Sequence, residues 1–342
     1  MKPADGHVTL GMIAEKAEVS RATVSRALRN HPQLPATTCQ RIQRLAREMG
    51  WRPDPEASRL MHYLRESRAA RAQSTLAILN DYANRTDPYK DPYTAALLKS
   101  AKHRAETLGY RMDELWLREP GLNARRATSI LNARGITGLL IPPEMDPLPK
   151  LKMDWNAFSV VATTTTALPE TMNRVLPDNY GNLCKLMRAL VQRGSRKIWL
   201  LSHRGLEERT NHSPSNVYHA FVHQEKTLTP LPVFYWDDGS GKNDPENALL
   251  RLYKQHRPDT VLVADAWLVD TLERVTCTRR GKDYFAVSYS NASPDLPGIN
   301  QRPEIVGSAA IDMLSAHVIR GETGLPDSPK LLHIPGSLEG IL

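Results

Sequence analysis

Two short patterns in this chain have residue types and spacings that could do chemistry, and both are incomplete. Gly239-Ser240-Gly241-Lys242 is similar to the end of a phosphate-binding loop, but Trp236 stands where that loop needs its first glycine and Asn243 where it needs Ser or Thr. His219 and His223 lie four residues apart on a predicted helix and could share a metal ion, but no third ligand is nearby. We therefore predict a polar surface turn and no metal site.

Catalytic patterns do not emerge elsewhere in the sequence. There is no Gly-x-Ser-x-Gly elbow, no pair of candidate catalytic carboxylates and no Cys-His arrangement. Cys39, Cys184 and Cys277 are odd in number and far apart, which argues against a disulfide framework and a zinc knuckle. We expect no catalytic residue, no cofactor and no enzymatic activity.

The charge of the chain is concentrated at one end. Residues 1–72 carry 13 Lys and Arg against 7 Asp and Glu, whereas the other 270 of the 342 residues carry 32 against 30. A basic segment on a near-neutral body is typical of a polyanion-binding domain attached to something else. No run of 18 apolar residues predicts a membrane span, and the first residues lack the apolar stretch of a secretion signal. We expect a cytoplasmic protein without membrane contact.

The basic segment predicts three helices. Thr9 can cap a helix over 10–17, Ser20 can cap a second over 21–29, and a third extends from about 36 to 49 before Gly50. Two short helices with a tight turn and a bracing third helix predict a helix-turn-helix.

The start of the second helix carries polar and small side chains that point away from Val24 and Leu28. In a major groove, such an Arg can pair with guanine, and Ser or Thr can bond phosphates or base edges. The alternative is a solvated helix face, which the basic surroundings disfavour. The candidate DNA contacts are Thr9, Ser20, Arg21, Ala22, Thr23, Ser25, Arg26 and Arg29.

Residues Val8 to Leu28 resemble the DNA-binding head of the lactose-repressor (LacI/GalR) family. The string Ala-x-Val-Ser-x-x-Thr-Val-Ser-Arg, here at 17–26, carries the resemblance. Glu18 departs from the Gly or Asn usual in the turn; a left-handed backbone there costs about 1 kcal/mol. The resemblance implies that Arg21 and Ala22 set much of the operator preference, that Thr23, Ser25 and Arg26 anchor the helix, and that a homodimer reads a pseudo-palindromic operator.

A hinge is predicted after the head. Asp54-Pro55 starts a short helix through Arg65, with Leu60 and Leu64 on one side. The resemblance implies that this helix forms on DNA and that Leu60, with Met61 beside it, enters the minor groove and kinks the operator. The alternative is a linker helix that packs Leu60 on the body. Ser58 in place of the family's Arg, and a basic insert at 65–73, are departures that bear on how body and DNA are coupled.

From Ser74 the pattern alternates between strands and helices. Repeated β-α-β units predict parallel sheets covered by helices, and their number exceeds one sheet. Strands are predicted at 76–79, 111–117, 138–141, 158–162, 198–201, 233–236, 260–264 and 285–289, and helices at 94–108, 124–133, 180–193, 215–226, 245–256 and 266–279.

The body resembles the type I periplasmic-binding-protein fold, with two doubly wound subdomains and a cleft between them. The motifs that carry this are Asp178-Asn179-Tyr180-Gly181, the turn at 194–198 and the segment 299–307. We therefore predict an α/β protein with a head over 1–53, a hinge over 54–73 and an effector-binding and dimerisation domain over 74–342. Its subdomains are expected at about 74–177 with 291–328, and 178–290 with 329–342.

Effector residues are nominated in two ways. Ligands of open α/β sheets bind at the carboxyl ends of strands, which nominates Tyr82, Asp265, Trp267 and Ser290. The resemblance adds Tyr93, Asp178 and Gln301, and also Arg209 and Asn211. Carboxylates, amides and aromatic rings suit a sugar or related metabolite. Ser290 stands where many family members carry Asp, and the family's Arg-x-x-Gly-Phe motif is replaced by 213–217, so an unusual ligand, or none, stays open.

These patterns predict a ligand-responsive transcriptional regulator, a repressor, whose operator affinity changes when a small molecule binds the body. The alternative is a solute-binding protein with the same body fold and no regulatory role. The basic head and the absence of a secretion signal favour the regulator.

Overall fold

The computed structural model describes residues 8–28, 34–51, 74–143, 153–166, 171–236, 244–293 and 295–341. The side chains of Ala22, Arg209, Asn291 and Ala292 are not described. The predicted hinge with Leu60 and Met61, as well as Arg29 and the Gly239–Lys242 pattern, lie outside these residues.

The head contains the three predicted helices, α1 (Leu10–Ala17), α2 (Arg21–Ala27) and α3 (Ala36–Glu48). Thr9 and Ser20 cap the first two: Thr9 Oγ1 accepts from the Met12 amide at 3.3 Å and Ser20 Oγ from the Thr23 amide at 3.1 Å. Both caps were predicted, whereas α2 ends two residues earlier than expected. Apolar side chains at helical spacing form a small core centred on Ile13, Val24 and Ile42.

Side chains of α3 also hold the ends of the other two helices. Arg41 donates from Nη2 to the carbonyl of Ala17 at 3.3 Å, and Gln43 donates from Nε2 to the carbonyl of Ala27 at 2.9 Å. The last carbonyls of a helix have no partner within it, so these bonds satisfy groups that otherwise need water. They fix α1 and α2 on α3 together with the apolar core.

The body contains two sheets. The first has the order β12-β5-β4-β3-β1-β2 and the second the order β10-β11-β9-β8-β6-β7, with β13 paired to β11. Within the described residues, the strands are β1 (Thr75–Asn80), β2 (Arg111–Trp116), β3 (Ile136–Ile141), β4 (Ser159–Ala162), β5 (Asn173–Pro177), β6 (Ile198–His203), β7 (Phe234–Trp236), β8 (Thr260–Val263), β9 (Phe285–Ser288), β10 (Asn291–Ser293), β11 (Leu296–Asn300), β12 (Leu331–Ile334) and β13 (Ser337–Glu339).

Helices alternate with these strands, as the β-α-β pattern predicts. They are α4 (Pro92–Thr107), α5 (Ala124–Ala133), α6 (Asn179–Arg193), α7 (Arg204–Arg209), α8 (Ser213–Gln224), α9 (Pro245–His256), α10 (Ala266–Thr276) and α11 (Pro303–Arg320). The central strands are apolar and buried on both faces, which is the pattern of a parallel sheet covered by helices. No helix in the described part of the chain is long and apolar enough to cross a bilayer.

The body divides into two units, and the chain crosses between them three times. Unit 1 contains 1–174 and 307–331, and unit 2 contains 175–306 and 332–342. The predicted boundary differs here, because segment 291–306 was expected in the first subdomain. Strands β10 and β11 pair in the second sheet instead, and β11 approaches β9 so closely that a Cβ on Gly298 would lie 1.9 Å from the carbonyl oxygen of Ser288.

The other differences concern elements with short or weak patterns. The prediction has neither α7 nor α11, nor the strands β5 and β10–β13. Helix α10 ends at Thr276 rather than at 279, because Cys277 turns to a left-handed conformation with φ 55°. Helix α8 begins and ends two residues before its predicted bounds.

Candidate DNA-binding surface and effector site

The start of α2 presents an exposed polar surface. Ser20, Arg21 and Arg26 are exposed, whereas Thr23 and Ser25 are half-buried. The hydroxyls of Ser20 and Thr23 lie 2.8 Å apart, so both oxygens take part in the cap of the helix. This leaves the two arginines as the long exposed side chains with which this helix can reach a polyanion.

Arg21 lies against α1 at its one glycine. A Cβ added to Gly11 would lie 3.0 Å from both Nε and Nη2 of Arg21, so the guanidinium occupies the space that a side chain would fill. Gly11 therefore leaves room for Arg21 between the two helices.

The turn between α1 and α2 has the backbone that the sequence predicts. Glu18 has φ 53° and ψ 42°, and its amide donates to the carbonyls of Ala14 and Glu15. The Val19 amide donates to the Ala14 carbonyl at 3.0 Å, which closes the end of α1. Glu18 thus adopts the left-handed conformation of the turn although it has a side chain.

In unit 2, polar and aromatic side chains form a row at the carboxyl edge of the sheet. The register pairs His203 at the end of β6 with Trp236 at the end of β7. Asp265 follows β8, and its Oδ2 lies 3.4 Å from His203 Nε2. Ser290 follows β9 and donates from Oγ to the Ala264 carbonyl at 2.8 Å. We call Trp236, His203, Asp265, Trp267 and Ser290 the edge row.

The two tryptophans of the edge row contact each other. Their ring centroids are 5.4 Å apart at 85°, an edge-to-face arrangement. Trp267 remains 42% exposed, although it is one of the largest apolar side chains in the chain. Exposed indole surface at the carboxyl end of a parallel sheet is typical of a ligand site.

His203 links the row to the following helix. Its Nδ1 accepts from the Leu206 amide at 3.2 Å and so caps α7. Because Nδ1 accepts, the proton of the neutral ring is on Nε2, which faces Asp265. Asp265 occupies the N-cap position of α10 but makes no side-chain cap bond, so its carboxylate remains available.

Glu207 is a carboxylate buried behind this edge. Its side chain is 1% exposed, and its two oxygens accept from the hydroxyls of Ser202 and Ser215, each at 2.7 Å. Tyr289 lies beside it, with its hydroxyl 3.3 Å from that of Ser202. Burial raises the pKa of Tyr289 well above its ordinary value, and the charges of Glu207 and Asp265 add to that rise.

Asp178 and Gln301 lie in unit 2 and are connected through the first turn of α6. Asp178 caps this helix by accepting from the Gly181 amide at 2.9 Å, and a Cβ on Gly181 would lie 2.1 Å from Asp178 Oδ2. Gln301 follows β11 and donates from Nε2 to Asn179 Oδ1 at 3.0 Å. The Asp178 carboxylate is thus partly used by the fold, while the carbonyl oxygen of Gln301 stays open to another donor.

The remaining predicted effector residues lie on other elements. Tyr82 and Tyr93 belong to unit 1; Tyr82 is 7% exposed and donates its hydroxyl proton to the Pro143 carbonyl at 2.5 Å, which supports a structural role. Tyr93 is half-buried in the first turn of α4. Arg209 ends α7, and Asn211 is exposed in a left-handed turn with φ 51°.

The head matches a known family. Residues 9–54 match the model of the bacterial regulatory proteins of the lacI family. The N-terminal domain is that of a LacI-family regulator. The HTH-type transcriptional regulator CelR of Thermobifida fusca is 23% identical over 337 residues, which are 93% of this chain and 94% of that protein.

Solved structures of LacI-family proteins share the fold over nearly the whole chain. The Lac repressor dimer bound to operator and the anti-inducer ONPF matches with a TM-score of 0.56 and 19% identity, over 97% of this chain and 98% of that one. A complex of the regulator CelR with cellobiose matches with a TM-score of 0.56 and 20% identity over the same shares. The predicted fold class, a helical head and a body of two parallel-sheet subdomains, is confirmed.

Sequence reasoning missed three residues of the body. Trp236, His203 and Glu207 carry no short motif, and they join the site only through the order of the strands. Trp236 was considered only as a mismatch to a phosphate loop. The rule of carboxyl strand ends could have found both, since Trp236 ends a predicted strand and His203 comes two residues after another.

Proposed function

We propose that this protein is a sequence-specific DNA-binding transcriptional regulator, a repressor, whose operator affinity is modulated by a small molecule bound to its body. The observation that carries the proposal is a LacI-family head, with Arg21 and Arg26 exposed on its second helix, in one chain with two parallel-sheet units. Acting on DNA, it would work in the cytoplasm.

On the DNA side, α2 would lie in the major groove. Arg21 and Ala22 would face base edges, while Thr9, Ser20, Thr23, Ser25, Arg26 and Arg29 would support phosphate and base contacts. A homodimer would place two such helices on the halves of a pseudo-palindromic operator. The Lac repressor dimer bound to operator, which shares the fold, supports this arrangement.

The hinge would add specificity through bending. Leu60, with Met61 beside it, would be inserted in the minor groove at the operator centre. Leu60→Ala should therefore weaken binding to the operator by at least about ten-fold, a typical cost for a lost wedge contact, and leave binding to random DNA nearly unchanged. Equal losses on both DNAs would make Leu60 a packing residue instead.

On the effector side, we place the ligand at the edge row, with Asp178 and Gln301 as further polar contacts. A sugar or related metabolite suits these groups, since its hydroxyls need paired donors and acceptors and its C–H face stacks on rings. The CelR–cellobiose complex supports a sugar. A ligand that binds two states of the body unequally shifts the equilibrium by that difference in affinity, which accounts for control of the operator.

The test is a selection of bound sites from random duplex DNA with the full chain, followed by titration at two salt concentrations. We expect enrichment of a palindrome with an easily kinked centre. Binding that is blind to sequence and falls steeply with salt, with and without a panel of sugars, would contradict the proposal. A solute-binding protein, the alternative, would select no DNA and would still bind a ligand.

A further inference from the structure

Two polar side chains at this edge use a donor hydrogen within the protein. Ser290 donates to the Ala264 carbonyl, and the amide of Gln301 beside the row donates to Asn179. Ser290 can still offer a ligand its oxygen lone pairs, and Gln301 can still offer its carbonyl oxygen and one N–H. Asp265 offers a carboxylate that is 38% exposed and lacks a cap bond.

The edge also has a negative charge that is only partly balanced. His203 Nε2 lies 3.4 Å from Asp265 Oδ2, and its Nδ1 accepts the cap bond of α7. Behind the row, the two oxygens of the buried Glu207 accept from the hydroxyls of Ser202 and Ser215, and His212 Nδ1 lies 3.8 Å from one of them. None of the five described side chains of the row is Lys or Arg. A positive ligand group would therefore gain from this field and a negative group would lose.

Aromatic surface lies directly beside that charge. Trp267 comes two residues after Asp265 in the chain and contacts Trp236. Tryptophan is the aromatic side chain that attracts cations most strongly, and indole surface also packs on the C–H face of a sugar ring. The same small area thus combines a carboxylate, acceptor oxygens and exposed indole.

We infer that the effector carries a protonated amine on a polyhydroxylated ring, the chemistry of an amino sugar, and that Asp265 and Trp267 receive the ammonium group. This inference rests on the proposed effector site and specifies its ligand class. The hydroxyls of such a ligand donate to the oxygens of Ser290 and Gln301, both of which have free lone pairs. Asp265 is a specificity-determining residue in this arrangement, because its negative charge favours a ligand with an ammonium group over one with a hydroxyl at the same position.

The experiment is calorimetric titration of the full chain with sugars that differ at one group. The probes are glucose, glucosamine, N-acetylglucosamine and glucuronic acid, and the β-1,4-linked dimers of the first three, at about pH 6.5, where the amines are protonated. We expect a free-amine sugar to bind about ten-fold or more tighter than its hydroxyl and acetylated partners.

Variants assign the preference to a residue. Asp265→Asn keeps the shape of the side chain and removes no cap bond, so we expect the fold to be unchanged. We expect the preference for the amine over the hydroxyl sugar to fall to about two-fold or less. Asp327→Asn removes an exposed carboxylate in unit 1 and should leave the preference intact. Thermal unfolding of each variant checks the fold.

Three outcomes would overturn the inference: tighter or equal binding of a neutral or acidic sugar, an amine preference that survives Asp265→Asn, or no binding of any amine sugar. These outcomes are separable from a failure of the proposed function. A chain that selects a DNA palindrome but prefers a neutral sugar overturns the ligand class alone. A chain that selects no DNA site but binds the amine through Asp265 overturns the regulator and leaves the ligand class standing.

Discussion

Glu18 shows how one residue sets the cost of the head's central turn. Its backbone is left-handed at φ 53°, a conformation that costs a residue with a side chain about 1–2 kcal/mol relative to glycine. The turn is retained because the amides of Glu18 and Val19 close the end of α1. The head thus includes a local strain that its core has to offset.

Glu18→Gly should raise the stability of the head by about 0.5–1 kcal/mol, since the lost strain exceeds the added freedom of the unfolded chain. Hydrogen exchange of the α1–α3 amides in the full chain measures it, with slower exchange as the expected result. Glu15→Gly is the matched control: Glu15 is exposed and helical, so glycine there should cost about 1 kcal/mol. Faster exchange in Glu18→Gly would show that the carboxylate makes a contact worth more than the strain.

Local features of this kind could be predicted from the sequence. The caps at Thr9 and Ser20 depend on a few neighbouring residues, and the structure confirms both. The left-handed turn at Glu18 is what the family resemblance implies, and the structure has it. The edge row depends on contacts between distant residues: His203 and Asp265 are 62 positions apart in the sequence. Such a pair can be recognised only when the strand order is known.

At the scale of elements, α11 carries a buried histidine. His317 is 4% exposed, and its Nε2 lies 3.8 Å from Glu322 Oε2. Burial lowers the pKa of His317, and Arg320 and Lys330 lower it further, while Glu322 opposes the shift. The helix therefore packs with this imidazole neutral.

This burial predicts a pH dependence. The unfolded chain takes up the proton at the ordinary pKa of about 6.5, while the folded protein resists it, so stability falls as the pH decreases through 6.5. His317→Gln should reduce the change in Tm between about pH 7.5 and 5, a window above the titration of Glu322, whose pKa is lowered chiefly by Arg320. Thermal unfolding at each pH measures this.

The matched control for this prediction is His103→Gln in α4. His103 is exposed, so the pH dependence of its variant should equal that of the parent. If His317→Gln kept the full change in Tm, the acid sensitivity would have to come from other groups.

Elements were predictable where their pattern was long. The bounds of α5 and α9 agree with the prediction residue for residue, because each begins after a capping Asn or Asp. The six-residue α7 has too few turns to show a period, and β10 and β13 have three residues each. Short elements of this kind are stabilised by the sheet they join rather than by their own residues.

At the scale of the whole molecule, the head and the body have separate cores. The apolar cluster of the head consists of residues between Val8 and Trp51, and the described clusters of the body begin at Ala77. A chain starting at residue 74 should therefore keep the fold of the body and its ligand binding and lose DNA binding. Calorimetry and a DNA-binding titration of the shortened and full chains measure both. Retained operator binding in the shortened chain would place the DNA contacts in the body.

The fold class could be predicted because β-α-β repeats restrict it strongly, whereas the division of the body could not. Segment 291–306 lacks a strong strand pattern, so its sheet is decided by contacts such as the approach of Gly298 to Ser288. Strands that follow one another in the sequence usually lie side by side in a sheet. Sequence order does not show at which residue the chain passes for the last time from one unit to the other.

The three points at which the chain passes between the units also determine the order in which parts of the protein can fold during synthesis. The head is complete once Trp51 has been made, and its contacts are local, so it can fold early on the ribosome. The first sheet needs β12, and unit 2 needs β13 and Ile341, which is 2% exposed in its core. In the regulator proposed above, the nascent chain would therefore present a folded head to DNA well before the body that controls it is complete.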